Sequence, residues 1–309
     1  MTGINLEAKF LGSMVGSALG DAIGELAFSH PRKDRLNPVL ERISELRYTD
    51  DTAMAIGLAE SLIRRQGLDQ EDLGKTFQDN FNRESWRGYA SGPPTIFSLV
   101  TQRGIPYREA AQSLFRGKGS LGNGAAMRIA PLGLFYHGAK DLYDRACASA
   151  RVTHAHPVGM DGAAVQAFAV SQAAAGDPRN DFPKDALLQS LIRFARTPEI
   201  QEKMKLVEQL ISREESPENA ALSLGRSVAV HESMPFAVYS FFRYPTSFEE
   251  CLFCAILHGG DRDTLGAMAG AVSGAYLGLD AIPRSWIQKL ENKDYIRHLA
   301  CSLARISGE

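Results

Sequence analysis

The chain has 309 residues, of which 44% are hydrophobic and 23% charged, and its formal net charge is −2. That profile belongs to a globular chain with a sizeable core and excludes a disordered or collagen-like one. It also lacks the basic excess of nucleic-acid recognition and any acidic tail.

Helical periodicity dominates. In chain order the expected helices cover residues 7–19, 52–65, 68–83, 93–103, 106–114 and 125–136. The second half continues with 140–152, 160–175, 184–195, 198–213, 217–230, 234–242, 248–257, 264–279, 284–290 and 294–306. Alternating β-branched stretches are almost absent. The remaining segments are short and rich in Gly, Pro, Asn and Asp, the longer ones being 29–49, 116–124 and 176–183. No Ser/Gly-rich linker divides the chain, so the expectation is one all-α domain over residues 1–309.

The N-terminal segment has no basic stretch followed by an apolar core, so it does not read as a signal peptide. The longest uncharged apolar run, 265–279, is shorter than the ~20 residues that span a bilayer. Of the cysteines Cys147, Cys251, Cys254 and Cys301, only Cys251 and Cys254 form a C-x-x-C, without a second pair or histidines in register for zinc. Buried free thiols are expected, and with them a cytoplasmic location. Two helices carry glycine at every fourth residue: Gly12, Gly16, Gly20 and Gly24, and Gly266, Gly270, Gly274 and Gly278. Glycine inside a helix costs about 1 kcal/mol against alanine. The ladders therefore predict backbones packed too closely for side chains, which would bring the N-terminal segment beside the acidic stretch 259–264.

Two short acidic motifs hold most of the chemistry. One is Tyr48-Thr49-Asp50-Asp51-Thr52 and the other Gly259-Gly260-Asp261-Arg262-Asp263-Thr264. Asp51-Thr52 and Asp263-Thr264 stand where helix N-caps belong, which explains one acidic residue per helix but not the doubling. Neighbouring carboxylates repel one another unless something neutralises them. Carboxylate and hydroxyl oxygens are hard ligands suited to Mg²⁺, Mn²⁺ or Ca²⁺. Brought together, the two motifs would surround a pair of divalent cations.

Between them lies Gly117-Lys118-Gly119-Ser120-Leu121-Gly122-Asn123-Gly124, followed by Ala125-Ala126-Met127-Arg128. Alternate glycines before a helix can form a nest of N–H groups for phosphate, or a plain connection. Neither the Walker nor the Rossmann pattern is met. His154 lies in Thr153-His154-Ala155-His156-Pro157, either a metal pair or a loop histidine. The segment from Arg87 to Pro94 either touches a ligand or makes a turn.

In this order and spacing these pieces, with Gly20-Asp21-Ala22-Ile23-Gly24 and Glu232-Ser233-Met234-Pro235, resemble the ADP-ribosylglycohydrolase family over almost the whole chain. The glycine loop and the Glu-Ser-Met-Pro segment look closest to its serine-ADP-ribose hydrolase branch. The resemblance implies an all-α fold, two Mg²⁺ (or Mn²⁺) ions, and an ADP-ribosylated protein or small ADP-ribose conjugate as substrate. Carried over, Thr49, Asp50 and Asp51 would ligate one ion, and Asp261, Asp263 and Thr264 the other. Ser120, Gly122 and Asn123 would hold the diphosphate. Gly88, Tyr89 and His154 would line the rest of the cleft, and Phe115 would pack on adenine. Asp50 and Asp51 would orient water or substrate hydroxyls, and Glu25 is a candidate acid–base residue.

Three departures stand out. The family often has a ligating glutamate four residues after the second glycine of Gly-Asp-x-x-Gly; here that position is Phe28. Leu121 replaces a second adenine-stacking aromatic, and Arg262 stands between the C-terminal aspartates. Two other readings remain: a two-metal phosphohydrolase acting on a nucleotide, and a non-catalytic relative that keeps the fold. Membrane and nucleic-acid partners are not expected, and the sequence leaves the acceptor linkage and oligomeric state open.

Overall fold

The computed structural model describes residues 5–307. Its helices are α1 (Leu6–Ser29), α2 (Lys33–Arg42), α3 (Asp50–Arg65), α4 (Gln70–Arg83), α5 (Gly92–Arg103), α6 (Tyr107–Gly117), α7 (Ala130–Phe135), α8 (Leu142–Arg151) and α9 (Pro157–Ala175). They continue with α10 (Lys184–Phe194), α11 (Pro198–Ser212), α12 (Pro217–Leu224), α13 (Val230–Arg243), α14 (Phe248–Ile256), α15 (Arg262–Leu277), α16 (Arg284–Lys289) and α17 (Lys293–Ile306). Among the described residues β pairing is limited to two isolated bridges, Leu46 with Leu290 and Gly122 with Ala229. The all-α expectation holds.

The most extensive helix pairing is α1 against α15. The glycine ladders account for it. Gly12, Gly16 and Gly20 lie against the carbonyl oxygens of Gly274, Gly270 and Gly266, and a methyl on any of them would collide with backbone. The ladder runs antiparallel, so Gly24 meets the carbonyl of Arg262 at the start of α15. Gly278 ends α15 as its C-cap, at φ 83°. Both helices are buried on every side over long stretches, as central helices of a large core are. Helices α9, α13, α14 and α17 pack around this pair.

Several segments differ from expectation, among them 125–136, which is α-helical only over α7 from Ala130. Residues 29–49 contain α2, where Leu36 and Leu40 are buried one turn apart. Pro38 and the polar composition of that stretch hide the pattern. Helix α1 does not stop at 19 but runs through Ser29. The expected 217–230 helix ends at Leu224, because Gly225 adopts φ 83° beneath the Glu232 side chain. Cys251 and Cys254 are buried free thiols. Among the described residues no helix is long and apolar enough to cross a membrane.

Candidate active site

The first acidic motif is set by α1. The fully buried Asp21 carboxylate accepts the backbone N–H groups of Thr49 and Thr52, each at 3.0 Å, and the Thr52 hydroxyl at 2.6 Å. Thr49 adds its own hydroxyl as N-cap, accepting from Asp51 N at 3.4 Å. The free donors at the start of α3 are thus satisfied by Asp21, Thr49 and the Arg87 carbonyl. Asp50 and Asp51 are spared that work, which removes plain capping as their explanation. Asp51 Oδ2 is buried without a hydrogen-bond partner.

The second motif opens α15. Gly259 and Gly260 both take positive φ, 88° and 78°. A side chain on Gly260 would strike the Arg226 carbonyl, which accepts Asp261 N–H at 2.9 Å. The Asp261 side chain makes no cap hydrogen bond and accepts the Asn123 amide at 2.7 Å instead. Asp263 Oδ1 accepts the N–H of Thr264 at 2.9 Å. Arg262 turns away and donates to the Ile256 carbonyl at the end of α14, so its charge does not face its acidic neighbours.

Both motifs open into one cleft of about 290 Å³. Asp50, Asp51, Asp261, Asp263 and Thr264 form its acidic end. Gly88, Phe115, Ser120, Gly122, Asn123 and His154 line the rest. Phe115 is 62% exposed and sits with Arg116 and Gly117 in three successive left-handed conformations, which break α6 and leave the ring at the rim. Gly88 is also left-handed, and a methyl on it would stand 3.8 Å from an Asp50 oxygen. A larger groove of about 800 Å³ runs along α3, α4 and α17. Its charges already pair with one another, as Arg64 does with Asp72 and Lys75 with Asp79, and it contains none of the expected site residues.

Four expected site residues stand differently. Thr49 is the N-cap of α3, next to the lining residue Asp50 but not itself part of the lining. Tyr89 packs edge-on against Phe81 at 5.1 Å, and burial followed by the nearby Asp50 charge raises its phenol pKa. Glu25 is exposed and lies outside the lining, although its charge reaches Asp263. Asn123 has no N–H left for a diphosphate: its amide serves Asp261 and the Ser233 hydroxyl (3.1 Å), and its backbone N–H serves Val228 O at 2.9 Å. The Ser120 hydroxyl accepts from Gly122 N at 3.1 Å and keeps its own proton to donate.

The acidic end is electrostatically unbalanced. Burial, and then the Asp21 charge, pushes Asp50 up to about 7. Burial and then Asp261 push Asp263 up to about 8. Burial, and then the Asp263 charge, raises Asp51 well above the carboxylate range. Burial also lifts Asp21 to about 6, against the hydrogen bonds from Thr52 and Thr49. The cluster thus holds more carboxylates than its surroundings can keep ionised, and one orphaned oxygen, and its donors are all hard oxygens, which fits divalent cations of the magnesium type. Among the described residues no three Asp, Glu, His or Cys side chains converge closely enough to enclose one ion as they stand.

Two residues outside the expected set organise these walls. Arg87 is buried between Glu291 (2.8 Å) and Glu84 (2.8 Å), and its carbonyl accepts Asp50 N–H at 2.8 Å. Asp21 was visible only as part of a Gly-Asp-x-x-Gly motif; nothing local to it reveals which helix it caps.

The whole chain matches a known family: the sequence profile described as ADP-ribosylglycohydrolase spans residues 2–308. The human protein named ADP-ribosylhydrolase ARH3 is 34% identical over 97% of this chain and 93% of its own length. An Escherichia coli relative described as the uncharacterized protein YegU is 30% identical over 89% of each chain. A solved structure titled ADP-ribosylglycohydrolase-related protein complex superposes with a TM-score of 0.70 at 28% identity, covering 98% of this chain and 99% of that one. By profile, relatives and fold together, the chain belongs to the ADP-ribosylglycohydrolase family.

Proposed function

We propose that this protein hydrolyses the glycosidic bond joining ADP-ribose to a protein side chain or a related conjugate, with two Mg²⁺ (or Mn²⁺) ions. The observation that carries this reading is the single cleft that joins both acidic motifs to the glycine loop. The ARH3 relatives, named as ADP-ribosylhydrolases, support it. Asp50, Asp51, Asp261 and Asp263, with Thr49 and Thr264, are the residues to hold the ions. When bound, such ions polarise hydroxyl oxygens and lower the pKa of water.

The chain's own side chains do the rest. The Ser120 hydroxyl donates to a phosphate oxygen, and the exposed Phe115 ring covers an adenine. Gly88, having no side chain, lets ligand approach Asp50. Asp50 and Asp51 orient a water or ribose hydroxyl by accepting its proton in a hydrogen bond. The carboxylate cluster stabilises positive charge developing on the ribosyl carbon as the bond breaks. Asn123 keeps Asp261 in place.

The test is hydrolysis of serine-linked and arginine-linked ADP-ribosyl peptides with and without EDTA. Free ADP-ribose should appear from at least one peptide and stop with EDTA. Asp50→Ala and Asp263→Ala should each lose at least about 100-fold in turnover, as removal of a charge-stabilising group does, at normal helical content. Release of phosphate or AMP instead would favour a phosphohydrolase.

A further inference from the structure

Arg128 is the largest fully buried side chain among the described residues, and no carboxylate among them hydrogen-bonds to it. One guanidinium nitrogen donates to the Gly124 carbonyl at 3.0 Å and lies 3.8 Å from Met54 Sδ. The other donates to Thr153 Oγ1 at 2.7 Å. The guanidinium lies over the Phe77 ring at 4.6 Å, while its Nε is left without a partner. A buried cation so incompletely satisfied is a poor device for stability. Apart from Phe77, its contacts lead to the walls of the cleft: the glycine loop, the helix bearing Asp50 and Asp51, and Thr153.

Thr153 passes the arrangement on. Its Oγ1 lies 2.8 Å from His154 Nδ1. A guanidinium can only donate, so Thr153 accepts from Arg128 and has one hydroxyl proton to place. Thr153 is 1% exposed, and His154 Nδ1 is the one acceptor its hydroxyl meets among the described hydrogen bonds. A proton on Nδ1 would leave that buried hydroxyl proton with nowhere to go. The ring proton therefore belongs on Nε2. That nitrogen makes no hydrogen bond within the described protein, and it lies against Gly122 and Gly124 on the cleft wall. A methyl at Gly124 would come within 2.9 Å of Nε2, so glycine there keeps the ring's outer edge open.

We propose that Arg128 and Thr153 are positioning residues that hold His154 as the neutral Nε2–H tautomer, so that it donates a hydrogen bond to an acceptor oxygen of the bound ligand. The inference rests on the proposed function only for the identity of that ligand, ADP-ribose. Burial, then the Arg128 charge, lowers the His154 pKa to about 3, in keeping with a neutral ring.

The experiment reads the ring directly. In ¹⁵N-labelled, ligand-free protein, long-range ¹H–¹⁵N correlation should show His154 with its proton on Nε2. Thr153→Ser should preserve that pattern. Thr153→Val keeps the shape but removes the hydroxyl, and should shift the proton towards Nδ1 or mix the tautomers. ADP-ribose should then bind about 3–10-fold more weakly to the valine variant, the loss of one hydrogen bond, and nearly normally to the serine variant. A wild-type proton on Nδ1, or a valine variant that binds ADP-ribose as tightly as wild type, overturns the inference. The wild-type spectrum decides the tautomer even where a variant folds poorly. Wild-type protein that binds no ADP-ribose at all would remove the functional reading, whereas a misplaced proton in protein that binds would remove only this one.

Discussion

Asp51 is a buried acid whose second oxygen touches no donor. Burial, and then the Asp263, Asp21 and Asp50 charges, raise its pKa well above the carboxylate range and so favour its neutral form in metal-free protein. Asparagine is close to a protonated carboxyl in shape and charge. Asp51→Asn should therefore alter metal-free stability by less than about 1 kcal/mol, yet abolish the rise in melting temperature that magnesium gives the wild type. A normal magnesium-induced rise in the variant would place the ions elsewhere. Asp21 behaves differently, since all its hydrogen bonds go to the start of α3. Asp21→Asn converts one acceptor oxygen into a donor facing other donors, and should cost about 1–3 kcal/mol in denaturant unfolding. The fold repeats the device where no cleft is involved. Asp161 on α9 accepts the N–H groups of Arg196 and Thr197 and so starts α11. The comparison separates the scaffolding aspartates from those left free for chemistry.

At the scale of elements, the α1–α15 pair is the frame on which the site hangs. Its antiparallel register puts Gly24 beside Arg262, and hence Asp21 near the second acidic motif. Gly20→Ala would drive a methyl into the Gly266 backbone, where no flexible side chain can yield. We expect a loss of about 1–3 kcal/mol together with weaker magnesium binding, measured by melting and calorimetry. Gly92→Ala, on the cleft rim, meets nothing within 4 Å and should leave stability unchanged. An equal effect of the two substitutions would show that the ladder is not the critical contact. The ladder was legible in the sequence because a period of four glycines has few other uses in a buried helix. Helix α2 was not, because Pro38 and a polar surface mask its two buried leucines.

For the whole molecule, the raised carboxylates tie stability to pH in a definite direction. In metal-free protein Asp50 and Asp263 keep their protons to about 7 and about 8, whereas the unfolded chain releases its own near 3.8. The folded state then binds more protons than the unfolded state between those limits, so stability falls as pH rises through that window. Magnesium relieves the repulsion but competes with protons for the same oxygens. The melting temperature of metal-free protein should therefore drop from pH 5 to pH 8, and the magnesium-induced rise should be larger at pH 8. A metal-free melting temperature that climbs over this range would contradict the buried acidic cluster.

Local order in the chain was enough to establish the all-α class, the close glycine-mediated packing and the two acidic motifs. Each of those is a spacing or a cluster of neighbours, and helices are read from short-range periodicity. What needed the folded molecule was every contact across long stretches of sequence. Asp21 to Thr52, Asn123 to Asp261 and Arg128 to Thr153 each join segments whose own neighbours reveal nothing of the partner. So too with Asn123, whose amide is spent on Asp261 and Ser233, and with Tyr89, whose ring packs edge-on against Phe81. A residue type states which bonds a group can make; only the packing of helices from both ends of the chain decides which of them it does make.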